Sequence, residues 1–328
     1  MFRRVLPLML LLATACSTTP VSTETTTGTN PGGTPGMTNP SGNPYDKLCV
    51  QEEEMEGPWN NSLVGQWIDD EGNSLAGEQS TVVEAGGVPS MIKDQDGRLV
   101  LAFQWFACDD EEAFDKVAVV FSEDDGVSWS DPEPIEIADF PEDMQRPFDP
   151  TLALLDDGRI RIYYTSNPGG NVPFGDETNI YSAISEDGVH YTFEDGVRFD
   201  VEGSPAYDSA LGYWDGLWHM VTPNNLPVNG AGAHYGTSTD GLTFVMQDDL
   251  TFTSEQELNW TGNFDLREDG LYFYGTATKD GNWFAKLGDD GWDDASTLTT
   301  RGGDPAVACV TEDRCLMVSV MMPQGHQK

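Results

Sequence analysis

One pattern occurs five times along this chain, and it limits the fold more than any other feature. Each copy is an apolar strand, an acidic turn that usually ends in Asp-Gly, and a second apolar strand. The copies run from Val88 to Phe103, Asp149 to Tyr164, Asp208 to Val221, Gly262 to Tyr274 and Asp304 to Ser319; the last lacks the turn glycine. Asp-Gly between β-rich runs predicts a hairpin, because glycine accepts the positive φ of a tight turn. The turn residues Asp96, Asp157, Asp215, Asp269 and Asp313 are 61, 58, 54 and 44 residues apart, close to the length of a propeller blade. No stretch between them has a sustained helical period, and a sandwich would show short strands without the long-range repeat. The pattern therefore predicts an all-β chain folded as a five-bladed β-propeller. The fifth copy ends near Met322, close to the C-terminus, so its blade needs two more strands. Residues 62–83, with Leu63–Ile68 and Thr81-Val82-Val83, are free to supply them. The ring is thus expected to close with strands from both termini, leaving no exposed sheet edge.

A second motif follows the first three repeats. Ser122-Glu-Asp124-Asp-Gly126-Val-Ser-Trp129 resembles the Asp-box of bacterial sialidases and similar propellers. Ser185-Glu-Asp187-Gly188-Val-His-Tyr191 and Ser238-Thr-Asp240-Gly241-Leu-Thr-Phe244 are one residue shorter. These turns look like those of the five-bladed glycosidases that cleave arabinan, xylan and fructan. Their expected role is structural: the aspartate caps turn amides and the aromatic ring packs between strands.

The chain opens with Arg3 and Arg4, a short apolar run from Val5 to Ala13, and Ala13-Thr14-Ala15-Cys16. That run is too short to span a bilayer and reads as a removable signal over residues 1–15. The last four residues resemble the lipobox of bacterial lipoproteins. The resemblance implies cleavage before Cys16 and acylation of that residue, which would hold the protein on the cell envelope. Residues 16–45, rich in Thr, Ser, Gly, Pro and Asn, bury too little to offset ordering entropy and read as a disordered tether. The propeller is expected over 46–328.

The formal charge is −40, from 56 acidic and 16 basic residues. Such a surface repels nucleic acid and anionic headgroups, so the expected partner is carbohydrate, with membrane contact through the lipid alone and a monomeric domain. Cys49, Cys108, Cys309 and Cys315 remain in an exported chain, so two disulfides are expected. Cys309 and Cys315 flank a hairpin turn, which leaves Cys49 for Cys108. Zinc spacing is absent, and the histidines are only His190, His219, His234 and His326.

Three inner strands open with aspartate: Asp149, Asp208 and Asp304 stand eight, seven and nine residues before their turn aspartates. The first repeat instead opens Val88-Pro89-Ser90. Carboxylates around one funnel repel one another, so one can hold a proton while another stays ionised, and glycoside hydrolysis needs that pair. The opening Arg146-Pro147-Phe148-Asp149-Pro150 resembles the strand carrying the general base in the five-bladed glycosidases. The resemblance implies Asp149 as base, Asp208 as the aspartate that tunes the acid, and Glu257 as acid, with Glu202 and Glu255 as spares. Trp105, Tyr164, Trp214 and Trp260 are candidate walls for sugar rings, beside Arg146 and Asp304 as substrate-binding groups. Two other readings of the aspartates stand beside this one: caps of strand starts, or oxygen ligands of an axial calcium ion. At the level of function a glycan-binding propeller or an envelope scaffold are the alternatives to a glycosidase.

Overall fold

The computed structural model describes residues 60–322, apart from 76, 78, 109, 170–176, 225–231, 253, 255–256 and 278–280. The signal, the tether, Cys16, Cys49, Glu255 and His326 lie outside the described residues.

Among the described residues, twenty-two strands form five sheets around one axis. The closing blade takes β1 (Ser62–Ile68) and β2 (Ser80–Glu84) from the start of the domain. The next contains β3 (Gly86–Lys93), β4 (Leu99–Trp105), β5 (Lys116–Ser122) and β6 (Glu133–Pro134). Then come β7 (Glu136–Ala138), β8 (Phe148–Leu154), β9 (Ile160–Ser166), β10 (Asn179–Ser185) and β11 (His190–Phe199). The fourth has β12 (Ala210–Trp214), β13 (Leu217–Asn224), β14 (Gly232–Ser238) and β15 (Val245–Met246). The fifth has β16 (Leu258–Arg267), β17 (Gly270–Ala277), β18 (Gly281–Gly288), β19 (Gly291–Trp292) and β20 (Ser296–Thr297). Finally β21 (Gly303–Thr311) and β22 (Arg314–Met321) complete the closing blade. Its strand order is β2-β1-β22-β21, so the ring does close with strands from both ends of the domain. Pairing runs without a break from Ser62↔Met321 to Ile68↔Cys315. The inner strands β3, β8, β12, β16 and β21 follow one another around the axis, with β21 returning to β3.

Burial on both faces explains why the second strand of each repeat reads as a continuous apolar run. Leu99, Leu101 and Phe103 of β4 pack towards Leu316 and Val318 of the closing blade. Val100 and Ala102, pointing the other way by the period of two, pack with Leu152, Ile162 and Tyr164 of the following blade.

The acidic turns between blades are held by their own side chains. Asp124 Oδ1 accepts the hydroxyl of Ser122 and the amide of Ser128, and Ser122 Oγ accepts the amide of Gly126 at 2.8 Å. Asp187 accepts the amides of Val189 and His190, and Asp240 those of Leu242 and Thr243. Each turn also lies against the preceding blade. A Cβ on Gly126 (φ 88°) would stand 2.4 Å from Leu316 of β22, and the Tyr163 hydroxyl of β9 donates to the carbonyl of Gly241 at 2.8 Å. Cys309 and Cys315 face each other on β21 and β22 in a disulfide. Cys108 is disulfide-bonded as well.

Both Gly126→Ala and Gly97→Ala (φ 85°) meet a left-handed backbone, but a Cβ at 126 also runs into the Leu316 side chain, whereas at 97 its neighbour is Lys93 Cε at 3.6 Å. Thermal unfolding should show Gly126→Ala losing about 2–3 kcal/mol and Gly97→Ala about 1.

Candidate active site

Four of the five inner strands open on one repeated backbone feature. Val88, Asp149, Asp208 and Asp304 have φ of 47°, 49°, 50° and 47°; β16 departs from the pattern, with Gly262 at φ 151°. In β3, β8 and β21 the pairing with the next strand slips at this point, and in β16 it slips at residues 260–261, just ahead of Gly262, the signature of a β-bulge. Proline follows at 89, 150 and 305, where the bulge needs no ladder amide. Glycine and aspartate tolerate positive φ, but valine does not, and such a residue costs about 1–3 kcal/mol. The bulge therefore does not require a carboxylate: Val88 adopts the same backbone without one.

The three aspartates meet at the mouth of the axis. Thr165 of β9 donates its hydroxyl to Asp149 Oδ2 at 3.2 Å and accepts the amide of Asp208 at 3.0 Å. On the other side Thr276 of β17 accepts the amide of Asp304 at 2.8 Å and lies 3.1 Å from the Thr261 hydroxyl. A cavity of about 370 Å³ opens here, lined by Val88, Gln104, Phe106, Arg146, Phe148, Asp149 and Asp304 among others. Arg146 is ion-paired with Asp115, which also accepts the Gln104 amide at 2.9 Å. Just below, Ser90 of β3 donates to Asn263 of β16 at 2.9 Å and accepts the amide of Leu152 of β8, while the Thr151 hydroxyl donates to the Ser209 carbonyl. These buried bonds span the ring and floor the funnel.

Electrostatics separate the three carboxyls. Burial raises all of them, and their mutual charge adds to the effect on Asp149 and Asp208. Asp304 is relieved by the hydroxyls of Thr261 and Thr276. Asp149, pushed up to about 7 by burial, is relieved by Thr165 and by the Arg146 guanidinium. Asp208 has no such donor, feels both other aspartates, and is raised well above the carboxylate range. The proton is thus held most tightly at Asp208. Tyr207, beside it, is pushed up to about 12 by burial and by the same carboxylates.

Other sequence candidates stand elsewhere. Glu257 is exposed, five residues ahead of Gly262 on the approach to β16; the charges acting on Asp208 are those of Asp149 and Asp304. Glu202 is exposed in the turn bridged by Val201 and Ser204. The aromatic walls need correction. Trp260, 1% exposed, is core, stacked on Phe252 and edge-on to Trp283. Tyr164 is fully buried between blades, and Trp105 packs against the cluster around Leu101 and Phe103. Trp214 ends β12, at the opposite end of the strand from Asp208, and packs on the cluster around Trp260. Phe106 and Phe148 line the funnel instead. Strand alternation turns Trp105 into the core while Gln104 and Phe106 face the cavity. For the axial calcium reading, the three axial aspartates do not bring three carboxylate oxygens within 4.8 Å of one another; the one group of described residues with that spacing, Asp265 with Cys309 and Cys315, contains the two sulfurs of a disulfide, which do not ligate as thiolates.

No protein-family model matches the sequence, and no curated protein does. Solved structures match at the level of fold. A thermostable family-43 glycoside hydrolase is 12% identical, with a TM-score of 0.51 over 74% of this chain and 95% of that one. An N-acetylgalactosamine deacetylase from F. plautii, in complex with blood group B trisaccharide, is 14% identical, with a TM-score of 0.50 over 76% of this chain and 81% of that one. The five-bladed propeller is thus shared with a glycoside hydrolase.

The raised carboxyls make stability depend on pH in an unusual sense. Asp149 binds its proton up to about 7 in the folded chain, against about 3.9 when unfolded. Between those values the native state holds more protons, so stability is greatest near pH 4 and falls as pH rises to 7. Chemical denaturation across pH 4.5–7.5 should show this fall. Asp208→Asn should flatten it and stabilise the fold at pH 7 by about 1–3 kcal/mol. An aspartate serving only to cap its strand would destabilise on the same change.

Proposed function

We propose that this protein hydrolyses glycosidic bonds in its axial funnel with a pair of aspartates, and that it does so at the bacterial cell envelope on a lipid anchor at Cys16. One observation carries the catalytic reading. Three carboxyls converge, desolvated and mutually repelling, at a backbone position that Val88 occupies in β3 without any carboxyl. A fold does not retain such a cost for capping alone, and perturbed carboxyl groups in a cleft favour an acid–base site.

The roles follow from the environments. Asp208, lacking donors, keeps its proton and gives it to the departing glycosidic oxygen. Asp149, hydrogen-bonded by Thr165 and facing Arg146, ionises and takes a proton from the water whose oxygen bonds to the anomeric carbon as the glycosidic bond breaks. This moves the acid from Glu257, the residue the family resemblance implied, to Asp208. Asp304 supplies the fixed charge that keeps Asp208 protonated, which is the tuning role. Arg146, held by Asp115, and Gln104 offer polar contacts to sugar hydroxyls, and Phe106 and Phe148 offer apolar ones. The Ala-Thr-Ala-Cys16 stretch and the tether favour a lipoprotein.

Release of reducing ends from aryl-glycosides, arabinan, xylan and fructan is the decisive assay. Asp149→Asn and Asp208→Asn should each lower kcat/KM by about 10²–10⁴, and wild-type kcat/KM should rise with pH towards a limb near 7 as the cluster loses its first proton. Cleavage insensitive to both substitutions would overturn the assignment. A folded chain that cleaves none of these would favour a glycan-binding propeller. Metabolic labelling with palmitate, lost in Cys16→Ser, checks the anchor.

A further inference from the structure

The other mouth of the propeller is a separate compartment. All five inner strands contribute to a cavity of about 850 Å³ there, with Met91, Leu152, Phe264 and Val307 in its walls. The buried Ser90–Asn263 bond and the Thr151–Ser209 contact lie between it and the aspartate funnel. A ligand in one therefore leaves the other free.

We propose that this distal cavity is a second carbohydrate-binding site, centred on Tyr213, which holds a neutral stretch of the same polymer that is cleaved in the funnel; the choice of ligand rests on the function proposed above. Three observations select a neutral glycan. Tyr213 is 39% exposed, more than any other aromatic side chain among the described residues, and it stands at this cavity with its ring 5.1 Å from that of Trp218. Beside it Leu266 is 56% exposed. Large apolar groups left in water at the rim of a cavity mark a binding surface, and an aromatic pair matches the apolar face of a pyranose or furanose ring. The rim, however, is polar: Gln95, Asp156, Asp157 and Asp240 surround the same opening, with Lys93 and Arg161 beside them, the latter paired with Glu194. A purely apolar peptide or lipid would leave those groups desolvated and unpaired, whereas sugar hydroxyls satisfy them. With three carboxylates against Lys93 and an Arg161 already paired to Glu194, the opening also disfavours polyanionic glycans and nucleic acid. The volume falls in the range of small-ligand sites.

A site on the far side from the chemistry gives the enzyme two grips on one polymer. A long chain, or two chains of one network, is then retained near the funnel between cleavages, so the gain is in effective concentration rather than in the bond-breaking step.

The test uses the chain carrying Asp149→Asn and Asp208→Asn, in which the funnel is disabled, with arabinan, xylan and fructan as probes in affinity electrophoresis and tryptophan fluorescence. At least one polymer should bind and perturb the emission. Adding Tyr213→Ala should weaken that binding about tenfold, and Tyr213→Phe should restore it. On the otherwise wild-type chain, Tyr213→Ala should leave aryl-glycoside kcat/KM unchanged while raising KM for the polymer. Binding of no polymer, or binding indifferent to Tyr213→Ala, overturns the proposal. Binding that depends on Tyr213 in a chain whose wild type cleaves nothing overturns the hydrolase reading and leaves the distal site standing.

Discussion

Everything at the axis depends on one pairing, that of β1 with β22. A blade outside a ring is a sheet with two edges and a narrow apolar face, and five of them hold a common axis only when the circle is shut. Seven consecutive residues of β1, from Ser62 to Ile68, pair with Met321 to Cys315. That ladder joins the two ends of the domain, and the disulfide between Cys309 and Cys315 lies in the same sheet. With the circle shut, the starts of the inner strands cannot move apart. The three aspartates then stay close although their charges favour separation.

Repulsion of this kind has to be offset elsewhere, and the structure shows where. Second-strand hydroxyls tie one blade to the next: Thr165 binds both Asp149 and Asp208, and Thr276 binds Asp304. Below them Ser90, Asn263 and Thr151 link strands across the ring. Outside, the Asp124, Asp187 and Asp240 turns lock against the preceding blades. The acidic residues thus fall into two populations. Turn carboxylates accept several amides and sit at lowered pKa values, contributing stability that is lost on acidification. Axial ones have few donors, sit at raised values, and contribute stability that is lost as pH rises.

The sequence made the fold legible because each element carries its own local signal. Asp-Gly turns mark hairpins, and counting strands in the last repeat showed that two were missing. The offset of seven to nine residues before each turn placed Asp149, Asp208 and Asp304 at equivalent points. What stayed hidden depends on contacts distant in sequence. Thr165 reaches Asp208 across 43 residues, with no motif to announce it. The choice of aromatic walls turned on strand parity: Trp105 faces the core and its neighbours Gln104 and Phe106 face the funnel, a one-residue difference that composition does not record. Glu257 lies on an approach rather than in a repeat, so only a resemblance suggested it, and the structure leaves it exposed.

Val88 is the most informative departure from the repeat. A valine at φ 47° is strained, and the first blade would accept aspartate or glycine there at lower cost. An aspartate at that point would put a fourth carboxyl on the axis, with Arg146 as the cation acting on Asp149. Further repulsion would raise Asp149 as well as Asp208, leaving no ionised base at neutral pH. An apolar residue at Val88, with no carboxyl at residues 259–262 where β16 opens, keeps the count at three, enough to split one proton donor from one acceptor and leave a charge that holds them apart. The strain at Val88 is then the counterpart of the pKa ladder: the backbone tolerates a poor residue so that the funnel keeps a workable number of charges.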